Sequence, residues 1–221
     1  FFFFLNMSDR KISDFSAARA AEFDNFYLRE ECQFEVRAIE KWLATKFADT
    51  KAIELACGTG FWTQFLVRMT HGMVALEASA DDLDVAARRV PSDKIKFMQG
   101  DAYKLPPDLG RFNAGFAAHW ISSVPRVRRL AFFQELATVM VPGAEVVLLD
   151  HVYVEGVSSP ISDTDADGNT YQITRLKDGS NVRVLKNYPT ESELRFALGN
   201  HGVRTKLTKW DHFWAFEYVA C

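Results

Sequence analysis

Two rhythms of hydrophobic residues alternate along this chain. Short apolar runs bounded by turn residues recur at 52–55, 73–76, 95–98, 112–118 and 145–150. The run at 52–55 reads as a buried strand, and the others read as further strands. Between them the spacing turns helical: Phe61, Phe65 and Met69 share one face, and Phe132, Phe133, Leu136 and Val139 share another, ended by Met140-Val141-Pro142-Gly143. Strands alternating with helices predict a doubly wound α/β domain with a mainly parallel sheet and helices on both faces. Upstream, residues 12–48 read as helical. Phe15, Ala18, Ala20 and Ala21 lead into Phe23, Phe26 and Tyr27, and then Phe34, Ala38, Ile39, Trp42, Leu43 and Phe47 recur at helical spacing. Packing against the sheet is expected of 34–47.

Beyond residue 150 the pattern departs from a minimal fold. Residues 156–169 are polar and turn-rich; 170–176 and 181–185 read as strands flanking Asp178-Gly179, a strong hairpin signal. Asp163, Asp165 and Asp167 before Gly168 mimic the start of a calcium loop. The twelfth position is Thr174 rather than Glu, so the segment reads as a polar turn. Thr190 with Glu193 forms a capping box for a helix ending at Gly199, and 203–210 and 213–219 alternate as strands around Asp211-His212.

The chemistry concentrates where the first strand gives way to the first helix. Gly58-Thr59-Gly60 forms a loop in which backbone amides can approach a ligand. A dinucleotide fingerprint wants a third glycine where Thr63 stands. Glu54, at the carboxyl end of the strand, would repel a pyrophosphate and suits a ligand carrying an amino group. Glu77 closes the second strand, at the place where nucleotide folds put the acceptor for a ribose diol, and Ser79 beyond it is a candidate helix N-cap.

The pattern E-x-x-x-G-x-G over Glu54–Gly60 resembles motif I of class I S-adenosylmethionine-dependent methyltransferases. Three further landmarks follow at suitable spacing: Glu77, Asp101 and the end of the fourth strand at His119. The resemblance implies a seven-stranded sheet closed by an antiparallel carboxy-terminal pair, and an amino-terminal lid over 12–48 in which Phe23, Phe26 and Tyr27 serve as lid or core. It implies S-adenosylmethionine as cofactor and S-adenosylhomocysteine as product. The cofactor residues it points to are Glu54, Ala56, Cys57, Gly58, Thr59 and Gly60, then Glu77 and Ala78, then Asp101 with Ala102 and Tyr103 beside the adenine, and His119. Tyr27, Trp62 and Trp120 offer ring faces to a sulfonium or a cationic acceptor, with core packing the competing role. The D/N-P-P-Y/F tetrapeptide of nucleic-acid amino methyltransferases is absent, since Ala117-Ala118-His119-Trp120 stands there.

Composition narrows the function. The chain has 221 residues, 48% hydrophobic and 25% charged, enough for one domain with an added element. A net charge of −3 gives no field to draw in nucleic acid, and no apolar run approaches membrane-spanning length. Cys32, Cys57 and Cys221 have neither disulfide nor zinc spacing and point to a reducing, cytoplasmic setting with no metal. Phe1-Phe2-Phe3-Phe4 lacks the basic flank and cleavage site of a signal peptide; residues 1–11 are set aside as a leader or remnant, with Met7 a candidate start.

The expected reaction is methyl transfer to a small-molecule N, O or S nucleophile. A base is needed only where the nucleophile is protonated, and His119 is the first candidate, His151 the second. Aromatic residues in the lid and hairpin (Phe15, Phe26, Tyr153, Tyr171 and Tyr188) point to an apolar or aromatic acceptor. The insertion at 155–189 is expected to cover the acceptor site or to form a dimer arm. A nicotinamide-dependent oxidoreductase and a non-catalytic binding module on the same fold are the competing readings; Thr63 and Glu54 speak against the first, and an unbroken cofactor motif against the second.

Overall fold

The computed structural model describes residues 27–175 and 179–221. Five helices and ten strands are described: α1 (Glu30–Phe47), β1 (Lys51–Leu55), α2 (Thr63–Met69), β2 (Gly72–Glu77), α3 (Ala80–Arg89), β3 (Ile95–Gln99), β4 (Phe112–Ala118), α4 (Arg129–Ala137), β5 (Met140–His151), β6 (Asp163–Thr164), β7 (Thr170–Arg175), β8 (Asn181–Leu185), α5 (Glu191–Leu198), β9 (Gly202–Lys209) and β10 (Phe213–Ala220). The main sheet has seven strands in the order β3–β2–β1–β4–β5–β10–β9. Its first five strands run parallel, and β10 pairs antiparallel with both β5 and β9. A separate three-stranded sheet, β6–β7–β8, is the predicted insertion. Phe15, Phe23, Phe26 and Asp178 lie outside the described residues.

The apolar runs of the central strands are explained by burial on both sides, whereas β3 at the sheet edge has no fully buried residue. Ala52, Ala114, Phe116, Val147, Leu149, Phe213 and Ala215 face a core built with Ile39, Leu43, Phe47 and Leu66 from α1 and α2. Their neighbours Ile53, Leu55, Leu76, Leu148 and Phe216 face the opposite core with Phe132, Phe133, Leu136 and Leu194 from α4 and α5. The strand period of two thus splits one hydrophobic run between two layers.

The local signals mostly hold. Ser79 accepts a hydrogen bond from the Asp82 N–H at the start of α3, and the Thr190–Glu193 capping box is formed at α5. Three expectations need correction. The helical reading of 12–48 is interrupted at Arg29, whose extended backbone (ψ 138°) precedes α1. Phe34 is 82% exposed rather than packed; the buried stripe of α1 runs through Cys32, Val36, Ile39, Leu43 and Phe47, and Phe34 falls off it. Pro142-Gly143 does not delay the fifth strand. Gly143 takes a φ of +86°, the register shifts between Phe112 and Ala114, and Met140 already pairs with Phe112. A bulge absorbs the extra residues.

No helix among the described residues is long and apolar enough to cross a membrane.

Candidate active site

Strand β1 ends in a turn that relies on left-handed backbone at Ala56 (φ +53°), Gly58 (+55°) and Gly60 (+79°). Gly60 also has no room for a side chain, because a Cβ there would lie 3.0 Å from the Ala86 Cβ on α3. The loop is strapped to the neighbouring strand. The Cys57 N–H donates to the Leu76 carbonyl at 3.1 Å. The Glu77 carboxylate accepts from the N–H groups of Gly58 (3.0 Å), Ala78 (2.8 Å) and Ser79 (3.0 Å). Glu77 therefore couples loop geometry to the end of β2, a task its sequence position alone did not reveal.

Glu54 lies under this loop, 1% exposed. Its Oε2 accepts from the Thr63 hydroxyl at 2.7 Å. Thr63 thus holds the position of the missing third glycine and puts its hydroxyl to use on the buried carboxylate. Burial pushes the Glu54 carboxyl up to about 8; the Thr63 bond opposes the shift and the nearby Glu77 charge adds to it. Arg89 donates to the Thr59 hydroxyl at 2.9 Å. Burial pushes the Cys57 thiol up, which removes thiolate character and leaves Cys57 a packing residue.

Beyond β3, Asp101 Oδ1 accepts from the Tyr103 N–H at 2.9 Å, so the carboxylate also braces its own turn. Ala102 is buried. The Tyr103 ring has the Arg128 guanidinium 3.7 Å from its centroid and Trp120 at 5.4 Å. Trp62 is buried and donates from Nε1 to the Tyr27 hydroxyl at 2.9 Å. The Tyr27 ring stacks on Phe61 at 3.8 Å. These two aromatics pack against protein rings, and Tyr27 stands beside His119 with centroids 5.5 Å apart.

The two candidate histidines come together. Their rings lie 3.9 Å apart at 30°. His119 follows β4 with φ +54°, a left-handed conformation uncommon for a residue with a Cβ. His151 ends β5. Beside them sits Asp150, fully buried. Asp150 Oδ1 receives the His151 N–H at 2.8 Å and the Lys186 ammonium at 3.0 Å, with His119 Nδ1 at 3.4 Å; Oδ2 receives the Ser122 N–H at 3.0 Å. Burial alone would raise the Asp150 carboxyl, yet Lys186 foremost, with the two histidines, holds it well below the usual carboxylate range. Burial, then the charges of His119 and Lys186, hold the His151 imidazole well below its ordinary value. The donor atoms of His119, Asp150 and His151 lie within 4.8 Å of one another, as metal ligands would. The Lys186 ammonium, however, already supplies a cation to Asp150, so the group is better described as an ion-pair cluster.

Lys186 arrives from the insertion, just past β8. It is buried and also donates to the Ser122 hydroxyl at 2.9 Å. Asn187 fixes it in place: its N–H donates to the Ser122 carbonyl (2.7 Å), its amide donates to the Val124 carbonyl (3.2 Å), and its Oδ1 accepts from the Thr170 N–H (3.0 Å). Asn169 Oδ1 accepts from the Asn187 amide (3.1 Å) and the Arg126 N–H (2.8 Å). Two acids of the calcium-like stretch are engaged within the insertion: Asp165 accepts from the Tyr171 hydroxyl and Asp163 pairs with Arg183. Sequence reasoning missed Lys186, Ser122, Asn169 and Asn187. None carries a local motif; each acquires its role only by long-range docking.

Residues 52–143 match the family model described as methyltransferase domain. Demethylmenaquinone methyltransferase of Staphylococcus aureus (strain JH9) is 31% identical over 105 residues, covering 46% of this chain and 43% of the relative. The match thus spans less than half the length of these curated relatives. Among solved structures, a DhpI–SAH complex shares 27% identity with a TM-score of 0.73 over 93% of each chain. A DhpI–SAM–HEP complex shares 25% identity with the same TM-score over 96% of this chain and 99% of that one. One holds SAH and the other SAM with HEP, and both share the fold of this chain. Residues 52–143 thus match a methyltransferase domain, and the chain shares its α/β fold with the two S-adenosylhomocysteine- and S-adenosylmethionine-bound structures.

Proposed function

We propose that this protein transfers the methyl group of S-adenosylmethionine to a protonated oxygen or nitrogen of a small molecule, with His119 as the general base. The reading takes residues 12–221 as one catalytic domain and the insertion as the wall of the acceptor site. The observation that carries it is register. β1 and β4 pair in parallel with Glu54 opposite Phe116, so the glycine loop and His119 emerge at the same edge of the sheet.

The residues fit the cofactor. Glu54 offers a buried carboxylate to an ammonium, Glu77 a two-oxygen acceptor to a diol, and Asp101 an acceptor to the adenine amine. The bound cofactor supplies an electrophilic methyl: the acceptor's lone pair forms the new bond as the carbon–sulfur bond breaks, leaving the thioether of S-adenosylhomocysteine. The chain's residues supply the rest. His119 Nδ1 faces Asp150, which places the proton on Nδ1 and leaves Nε2 to take the proton of the acceptor. The rings of Tyr27 and His151 pack beside the His119 ring, which favours exclusion of water. The names of the relatives agree with small acceptors, demethylmenaquinone in one and HEP beside SAM in the other.

Thermal shift with each cofactor tests the reading. Stabilisation by S-adenosylhomocysteine and not by NAD is expected; the reverse would overturn it. Labelled methyl from S-adenosylmethionine should appear in O–H or N–H compounds of low molecular weight.

A further inference from the structure

The Lys186 ammonium has no role in the cofactor reading, and it sits deep in the acceptor side. We infer that Lys186 is a positioning residue: by occupying the Asp150 carboxylate, it weakens the pull of that carboxylate on the His119 proton and so keeps the imidazole able to act as a base. The inference rests on the proposal that His119 is that base.

The geometry of one oxygen carries the argument. Asp150 Oδ1 is met by the His151 N–H at 2.8 Å, Lys186 Nζ at 3.0 Å and His119 Nδ1 at 3.4 Å. His119 is the most distant of the three, longer than a normal N–H···O bond. A buried carboxylate beside an imidazole ordinarily favours the imidazolium, because the opposite charge stabilises the charged form. An imidazolium has no lone pair and is no base. A lysine in contact with the same oxygen offsets that pull without donating to the imidazole. The Lys186 ammonium is itself held by Asp150 and by the Ser122 hydroxyl, and the Asn187 bonds fix the segment that carries it.

The groups facing His119 all bear on its charge. β5 contributes Asp150 and His151; the segment after β8 contributes Lys186; Tyr27 lies 5.5 Å away, ahead of α1, and Phe213 of β10 adds an apolar ring at 6.3 Å. Arg29 adds positive charge on the His151 side. With rings 3.9 Å apart, the two histidines do not share two protons, so the pair takes up one proton first. Asp150 directs it to His119. Lys186 sets the pH at which that happens.

Imidazole NMR titration of the full chain between pH 5 and 9 reads this directly and needs no acceptor. Signals are assigned with His119→Asn and His151→Asn. Lys186→Met should raise the His119 midpoint by about one pH unit or more, whereas Lys186→Arg should keep it near wild type. A folded Lys186→Met protein with an unchanged midpoint would overturn the inference. If Lys186→Met does not fold, Asp150→Asn carries the test: with Lys186 uncompensated, the His119 midpoint should fall by about one unit, and an unchanged midpoint would again overturn it. Calorimetry with S-adenosylhomocysteine is run alongside. Failure to bind would remove the methyl-transfer reading while the titration still decides the role of Lys186.

Discussion

The two halves of the proposed site are built on different principles. The cofactor half comes from one stretch, β1 through the turn after β3, and much of it is backbone. Left-handed residues set the loop, and Glu77 gathers three amides from the ends of two neighbouring strands to hold it. The acceptor half draws on three distant segments: the end of β4 with the following Ser122, the end of β5, and the insertion carrying Lys186. Its working parts are buried side chains that satisfy one another. A scaffold of the first kind recognises a constant ligand with little dependence on distant sequence. One of the second kind lets the acceptor vary by exchange of an insertion, and concentrates buried charge where a single loss is costly.

His119→Asn should break the acceptor half alone. Asparagine tolerates the left-handed backbone seen at His119 but is no base near neutral pH. Turnover should drop by roughly 10²–10⁴ with S-adenosylhomocysteine affinity near wild type. Steady-state kinetics and calorimetry on the same preparation check both arms. A rise in KM at constant kcat would reassign His119 to binding.

Asp150→Ala should cost stability. It leaves the Lys186 ammonium buried without its carboxylate, a loss of about 3–5 kcal/mol. Denaturant unfolding measures it, and a loss below about 1 kcal/mol would mean that the cluster is loosely solvated.

In the cofactor half, Glu77→Ala should weaken S-adenosylhomocysteine binding by about 2–3 kcal/mol and Asp101→Ala by about 1–2 kcal/mol. Glu77 offers two oxygens and also braces the loop, whereas Asp101 braces only its own turn. Equal losses in the two variants would remove the distinction.

The cofactor half should also show a pH dependence. The free Glu54 carboxyl holds a proton up to about pH 8, because burial raises it from 4.5. An ammonium binds the ionised form, so below that pH binding must expel a proton. Affinity for S-adenosylhomocysteine should climb roughly tenfold from pH 6.5 to 8 and then flatten. Unliganded stability should move oppositely. A carboxyl raised on folding favours the protonated native state, so that contribution is full below 4.5 and is lost as pH rises through about 8. Melting curves across pH 5 to 9 read the second effect.

Legibility in sequence follows the same division. The E-x-x-x-G-x-G stretch, the Ser79 cap, the capping box at Thr190 and the closing strand pair were readable because each depends on neighbours a few residues away. The insertion was readable as a hairpin. What it delivers was not, since Lys186 meets Asp150 across 36 positions and Asn187 meets Val124 across 63. His151 was readable as a strand end but not as the ring stacked on His119. Phe34 misled because helical spacing does not say which of two neighbouring stripes faces the core.

Calorimetric titration of S-adenosylhomocysteine into wild type and Glu54→Gln protein at pH 8 tests the central claim most directly. The substituted amide keeps the shape of the side chain and an oxygen for the Thr63 hydroxyl but loses the charge. The account predicts one-to-one binding to wild type and a loss of about tenfold or more in the variant. Undiminished binding by the variant, or no binding by wild type, would contradict it.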